Sequence, residues 1–172
     1  MMKKNFIMAA VAAVAFQAVG LTGNLWAACT GYPNYVCSGT DQTVTVGLGR
    51  NENNVNVTVN TGATINVGNA PAISLGSGPV NGPNSTINIY GTVQNNAVNN
   101  SGGYGTGSDT IEVGSHYTIR VYNGGTVHSM GTQTNAEAIN VHGFGNIITI
   151  DQGGTVKAEN DAAIWFQDSQ DY

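Results

Sequence analysis

Charge is scarce in this chain, and positive charge is scarcest. Only 9% of its 172 residues are charged, with five Lys and Arg against ten Asp and Glu. Lys3 and Lys4 sit at the extreme N-terminus. Beyond them only Arg50, Arg120 and Lys157 are basic, which leaves the rest of the chain near −7. A nucleic-acid or anionic-membrane surface requires clustered positive charge, so neither is expected as a partner. Leu, Lys and Arg, all good helix formers, are also few, while Gly, Asn, Thr and Val abound. β-Branched residues favour strands, and Gly and Asn favour tight turns. The composition therefore points to an all-β chain with many turns.

A hydrophobic run of the roughly 20 residues that a spanning helix needs is also missing. The nearest approach is Phe6–Val19, a 14-residue apolar stretch. It follows the positive start Met1-Met2-Lys3-Lys4 and precedes the small residues Ala27 and Ala28. Charge, short apolar core and small residues in that order are the layout of a secretory signal peptide, with cleavage expected after Ala27 or Ala28. The chain is thus expected to be exported through the inner membrane, to the periplasm, the outer-membrane surface or the exterior. A retained anchor is the alternative for the apolar run. Lipidation at Cys29 is an alternative for the cleavage region, weakened by Trp26 where a lipoprotein box would carry Leu.

Cysteine is limited to Cys29 and Cys37. In an exported chain two nearby cysteines most simply form a disulfide, here closing a small loop that contains Pro33. No His lies close enough to make the pair a metal site. The expected organisation is a signal peptide over 1–28, an N-terminal disulfide loop or cap over 29–43, and one repeat domain over 44–172.

That domain is periodic. Gly62-Ala-Thr-Ile65, Tyr90-Gly-Thr-Val93, Gly124-Gly-Thr-Val127 and Gly153-Gly-Thr-Val156 share a Thr at 64, 92, 126 and 155. An alternating strand precedes each one: Asn54–Val59, Ser85–Ile89, Tyr117–Val121 and Asn146–Ile150. An Ala beside a β-branched residue follows each one, at Ala72-Ile73, Ala97-Val98, Ala138-Ile139 and Ala163-Ile164. The longer interval, between Thr92 and Thr126, is assigned to extra length at Gly102–Gly107 and Thr110–Gly114, before the strand at 117. Four units in phase predict stacked coils with ladders of like residues: Thr along one face, Val and Ile inside, and Asn at corners. A β-sandwich also uses short strands at regular spacing, but does not call for such identity between repeats.

The exported start, the Cys29–Cys37 segment running into Ser38-Gly-Thr-Asp41, and the Gly-Gly-Thr-Val and Ala-Ile repeats resemble the beginning of autotransporter passenger domains of the pertactin and AIDA-like adhesin group. The resemblance spans essentially the whole chain. It implies a right-handed parallel β-helix of about four rungs, displayed on the cell surface or secreted, with adhesion as its role and virulence as its setting. Host-surface proteins or glycans are the implied partners. Relatives of this kind also carry a C-terminal outer-membrane β-barrel, whose ten-residue alternating strands are not found here. The chain is accordingly expected to be the head of a longer passenger.

Catalytic chemistry is not expected. There is no Gly-x-Ser-x-Gly elbow, and Gly102–Gly107 lacks the cation and helix of a phosphate loop. Asp109 and Glu112, three apart, cannot share one face of a strand, where side chains alternate. Asp151, Glu159, Asp161 and Glu137 read as solvated turn and loop acids, although Glu137 and Asp161 fall at comparable loop positions of adjacent units. His116, His128 and His142 match no compact metal motif, and His128 and His142 are assigned to different faces, so neither metal nor cofactor is expected. Arg120 reads as solvent-facing. Loops on a rigid scaffold are where recognition resides, which makes Tyr104 and Tyr117 the candidate binding-loop residues. Alternative readings are a carbohydrate-active β-helix enzyme and a small exported solenoid that assembles end to end.

Overall fold

A computed structural model describes residues 28–40, 43, 45–50, 54–76, 81–98 and 108–167. Tyr104, the Gly102–Gly107 run and, apart from Ala28, the expected signal peptide lie outside the described residues. The described residues are all-β.

The described residues begin with β1 (Ala28–Thr30), β2 (Asn34–Ser38) and β3 (Val46–Arg50). The chain then passes four times through the same three faces. The first pass is β4 (Asn56–Val59), β5 (Thr64–Val67) and β6 (Ile73–Leu75). The second is β7 (Asn81–Ile89), β8 (Thr92–Asn95) and β9 (Ile111–Val113). The third is β10 (Ser115–Val121), β11 (Thr126–Ser129) and β12 (Ile139–Val141). The fourth is β13 (Ile147–Ile150), β14 (Thr155–Ala158) and β15 (Ile164–Phe166). Like strands pair parallel into three sheets, ordered β2-β4-β7-β10-β13, β5-β8-β11-β14 and β3-β6-β9-β12-β15. This is a parallel β-solenoid, with three turns between Thr64 and Thr155.

The register is the one the repeat calls for. Thr64, Thr92, Thr126 and Thr155 are cross-strand partners in succession. Inside, Val57, Ile87, Ile119 and Ile148 stack on the first face, and Ile73, Ile111, Ile139 and Ile164 on the third. The alternation in β10 buries Tyr117, Ile119 and Val121 and leaves Thr118 and Arg120 exposed. On the outside of the first sheet Asn56 Nδ2 donates to Asn34 Oδ1 at 2.8 Å, and Asn56 Oδ1 accepts from Thr86 Oγ1 at 2.7 Å.

The Gly-Gly phrase has a distinct reason for each glycine. Gly124 takes φ +82°, a left-handed conformation that a side chain resists. Gly125 lies against the previous rung, so a Cβ there would run into the carbonyl oxygen of Ile89. A turn this close to its neighbour has room for only a hydrogen.

One part of the periodic reading is corrected. Thr110–Gly114 is not an insertion, because Ile111–Val113 is the third strand of the second rung, in register with Ile73–Leu75 and Ile139–Val141. Ala97-Val98 is loop, with Val98 exposed. The additional length falls between β8 and β9, and the Ala97-Val98 phrase imitates the Ala-Ile strand that actually follows it.

The two ends differ. At the start, β1 and β2 form an antiparallel hairpin, joined by a disulfide between Cys29 and Cys37, and β2 stacks in parallel on β4. At the fourth rung Ile147, Ile150, Trp165 and Phe166 are exposed.

Candidate functional site

The third sheet carries an unusual outer face. In the first three rungs the flanking residues of its strand turn into the apolar core, such as Ile111 and Val113 around Glu112. The central residue therefore points out. Ser74, Glu112, Asn140 and Trp165 form this outer ladder, in register from rung to rung. Outward residues of a sheet normally meet water, yet Ser74, Glu112 and Asn140 are all buried.

Asp109 joins them from the corner that precedes β9. It is placed by Asn95, a fully buried residue at the end of β8. Asn95 Nδ2 donates to the carbonyl oxygens of Ser108 at 2.7 Å and Asp109 at 2.9 Å. Thr110 Oγ1 donates to Asn95 Oδ1 at 2.7 Å. Ser108 Oγ also bonds the carbonyl of Asn135 in the next rung. The corner is thereby fixed on both sides, and the Asp109 carboxylate extends toward the third rung. Its Oδ1 accepts from the Glu137 backbone N–H at 3.0 Å, and its Oδ2 from Asn140 Nδ2 at 2.9 Å. Ser74 Oγ donates to Glu112 Oε2 at 3.2 Å.

Asp109, Glu112 and His142 each bring one ligand-type atom to within 4.8 Å of the others. The expected separation of Asp109 from Glu112 and the solvated reading of Glu137 are overturned here, while His128 and His142 do lie on different faces. The alternation rule separates Asp109 from Glu112 only along one strand, and Asp109 lies before the strand, at the bend. His142 is two residues beyond Asn140 and so returns to the same outer face. Asp109, Glu112 and Glu137 are buried acids, not solvated ones.

The electrostatics follow from that burial. Desolvation pushes the Glu137 carboxyl up to about 8, assisted by its hydrogen bond to Asp109 and by the Asp109 and Asp161 charges. Asp109 is also raised by desolvation, while hydrogen bonds from Glu137 and Asn140 pull it back down. Glu137 is thus the member that keeps its proton near neutral pH, and Asp109 accepts.

The remaining expected residues lie elsewhere. Tyr117 is not a loop aromatic: it is 1% exposed, in β10, with its ring in the core. It cannot serve a binding loop, and its partner in that expectation, Tyr104, is outside the described residues. His128 Nε2 pairs with Glu159 Oε1 at 2.6 Å on the second sheet. That contact, followed by Lys157, holds the Glu159 carboxyl below its ordinary value. His116 meets the Phe144 ring edge-on at 4.8 Å. Arg120 is solvent-facing as expected. It bonds Asp151 through Nε and Nη2 and lies 4.6 Å over the Tyr122 ring, which stacks on Tyr90 at 4.0 Å. The sequence carries little signal for this pair: Tyr90 immediately precedes a Gly of the repeat phrase, and Tyr122 stands two residues before Gly124.

No family model, curated protein or solved structure matches this chain. Its fold and the residues of this face therefore carry the functional argument.

Proposed function

We propose that the chain is an exported β-solenoid of the autotransporter passenger type, a rigid non-catalytic scaffold that serves adhesion at the cell surface. The observation that carries this reading is the asymmetry of the solenoid. A disulfide-closed hairpin covers the first rung, while the fourth presents Ile147, Ile150, Trp165 and Phe166 to solvent. A solenoid closed at one end and apolar at the other suits a stalk on which further rungs or a partner stack. The disulfide agrees with an oxidising compartment.

A second reading, a carbohydrate-active enzyme, is favoured by the gathering of Asp109, Glu112 and Glu137. Glycosidase carboxyls face each other across roughly 5–9.5 Å of open groove that admits a sugar ring. Asp109 and Glu112 are closer together and 4% and 2% exposed. Burial of that degree suits structure better than hydrolysis.

The test is to express the full chain in a Gram-negative host. Fractionation, N-terminal sequencing and thiol titration then read its fate, and the exported product is applied to host-cell monolayers, a glycan array and polysaccharides. Export with removal of about the first 28 residues, an oxidised cysteine pair, and binding without release of sugars is the expected result. Retention in the cytoplasm with free thiols, absence of binding to cells and glycans, or release of reducing sugars overturns the reading.

A further inference from the structure

The outer ladder of the third sheet offers more than acids. A carboxylate oxygen of Asp109, one of Glu112 and a ring nitrogen of His142 converge within 4.8 Å. They come from two successive rungs whose backbones are locked in register, Asn140 over Glu112. Asn95 holds the Asp109 corner from below. The donors are therefore preorganised by the scaffold, not borrowed from independent loops.

Beside them, two buried oxygens have unused lone pairs. Asn140 is 3% exposed and spends its Nδ2 on Asp109 and Gln167, while its Oδ1 has no hydrogen-bond partner. Oε2 of Glu137, 1% exposed, has none either. Buried acceptors left without a donor are costly, and a cation is one thing that satisfies a carbonyl and carboxylates together.

We propose that Asp109, Glu112 and His142 bind one divalent transition-metal ion of the zinc class, with the Asn140 amide carbonyl completing the shell. Around such an ion, oxygen and nitrogen ligands stand about 2.0–2.2 Å from the metal, hence roughly 3.4 Å from one another in a tetrahedron. Small side-chain rotations bring the three atoms from their present separation to that distance. An imidazole with two carboxylates suits zinc, whereas calcium takes six to eight oxygens. His142 is half-buried, which gives the ion an approach from solvent. The role is structural: the ion ties the second rung to the third on the outside of the sheet.

The experiment uses the full chain with its disulfide intact, stripped by a chelator and labelled with ¹⁵N at the His rings. Zinc chloride is titrated, with calcium chloride as the comparison. The expected result is one zinc retained per chain by equilibrium dialysis. His142 ring signals move, His116 and His128 signals stay, and the melting temperature rises with zinc but not calcium. Glu112→Gln and His142→Ala each weaken zinc binding at least tenfold while far-UV circular dichroism stays unchanged, and His128→Ala leaves it intact. The His142 signals of the unaltered chain report the site even where a variant fails to fold. Absence of retained zinc, or zinc that moves His128 instead through its exposed pair with Glu159, overturns the proposal.

Discussion

Asn140 stands directly over Glu112 across the third sheet, and both are buried although both point away from the core. Paired with Ser74 below, they make a polar seam on a face that usually meets water. The nearby corner acid, Asp109, is bound into the seam by the Asn140 amide at 2.9 Å. Most of what is particular to this solenoid lies along that seam.

Glu137 gives the seam a pH dependence. Its folded value, pushed up to about 8 by burial and by the neighbouring Asp109, lies above the ordinary 4.5. A carboxyl that binds its proton more tightly when folded stabilises the fold fully below pH 4.5. That contribution is lost as pH rises toward 8. Asp109, Glu112 and Asp161 are the acidic groups grouped with it. In metal-free protein, Glu137→Gln is expected to flatten the fall of melting temperature between pH 5 and 8. The variant should be at least as stable as the parent at pH 9. Thermal melts across pH in the presence of chelator measure this, and an unchanged slope contradicts it.

The Gly125 position admits no side chain, because a Cβ meets the Ile89 carbonyl of the rung below. Gly125→Ala is expected to cost about 2 kcal/mol through overpacking of the backbone. Gly68, with nothing near its would-be Cβ, tolerates Ala with little change. Denaturant unfolding of the two variants side by side checks the contrast.

Asn95 carries three strong bonds in a buried corner. Asn95→Ala leaves two carbonyls and a hydroxyl without their partner and is expected to cost about 3 kcal/mol. The same variant frees Asp109, so amide exchange at residues 108–110 should quicken well before the rest of the second rung.

The disulfide closes a short loop, with eight positions separating Cys29 from Cys37. Chain-entropy reasoning for a loop of that size gives about 2.5 kcal/mol. Replacing both cysteines by Ser is expected to lower stability by up to that amount and to expose the hairpin to protease first, leaving the later rungs intact. Limited proteolysis with mass spectrometry locates the first cut.

The stacking was legible in the sequence because like residues recur in phase, and register follows identity: four Thr, one above another. The bridge was also legible, because two cysteines in a small loop have few other uses. Tyr117 could have been placed by the alternation it shares with Ile119 and Val121, which assigns it to the core. The polar seam was not legible. Its assembly depends on which segment supplies the third strand of the second rung, and Ala97-Val98 imitates that strand better than Thr110–Gly114 does. Once the strand is shifted, Glu112 enters the outer ladder and Asp109 moves to the bend, where period-two alternation no longer applies. Burial of an outward-facing acid leaves no periodic trace, since it depends on what lies over the sheet and not on the strand.

The closed first rung and the bare fourth rung also set a direction. Each rung is held mainly by its neighbours, so loss of order travels by nearest contacts, and among the described rungs it starts where apolar side chains are exposed. Here Ile147, Ile150, Trp165 and Phe166 mark that side, while the Cys29–Cys37 hairpin guards the other. The described rungs thus form a zipper with one fixed stop, loosest where their side chains are bare and held at the stapled end.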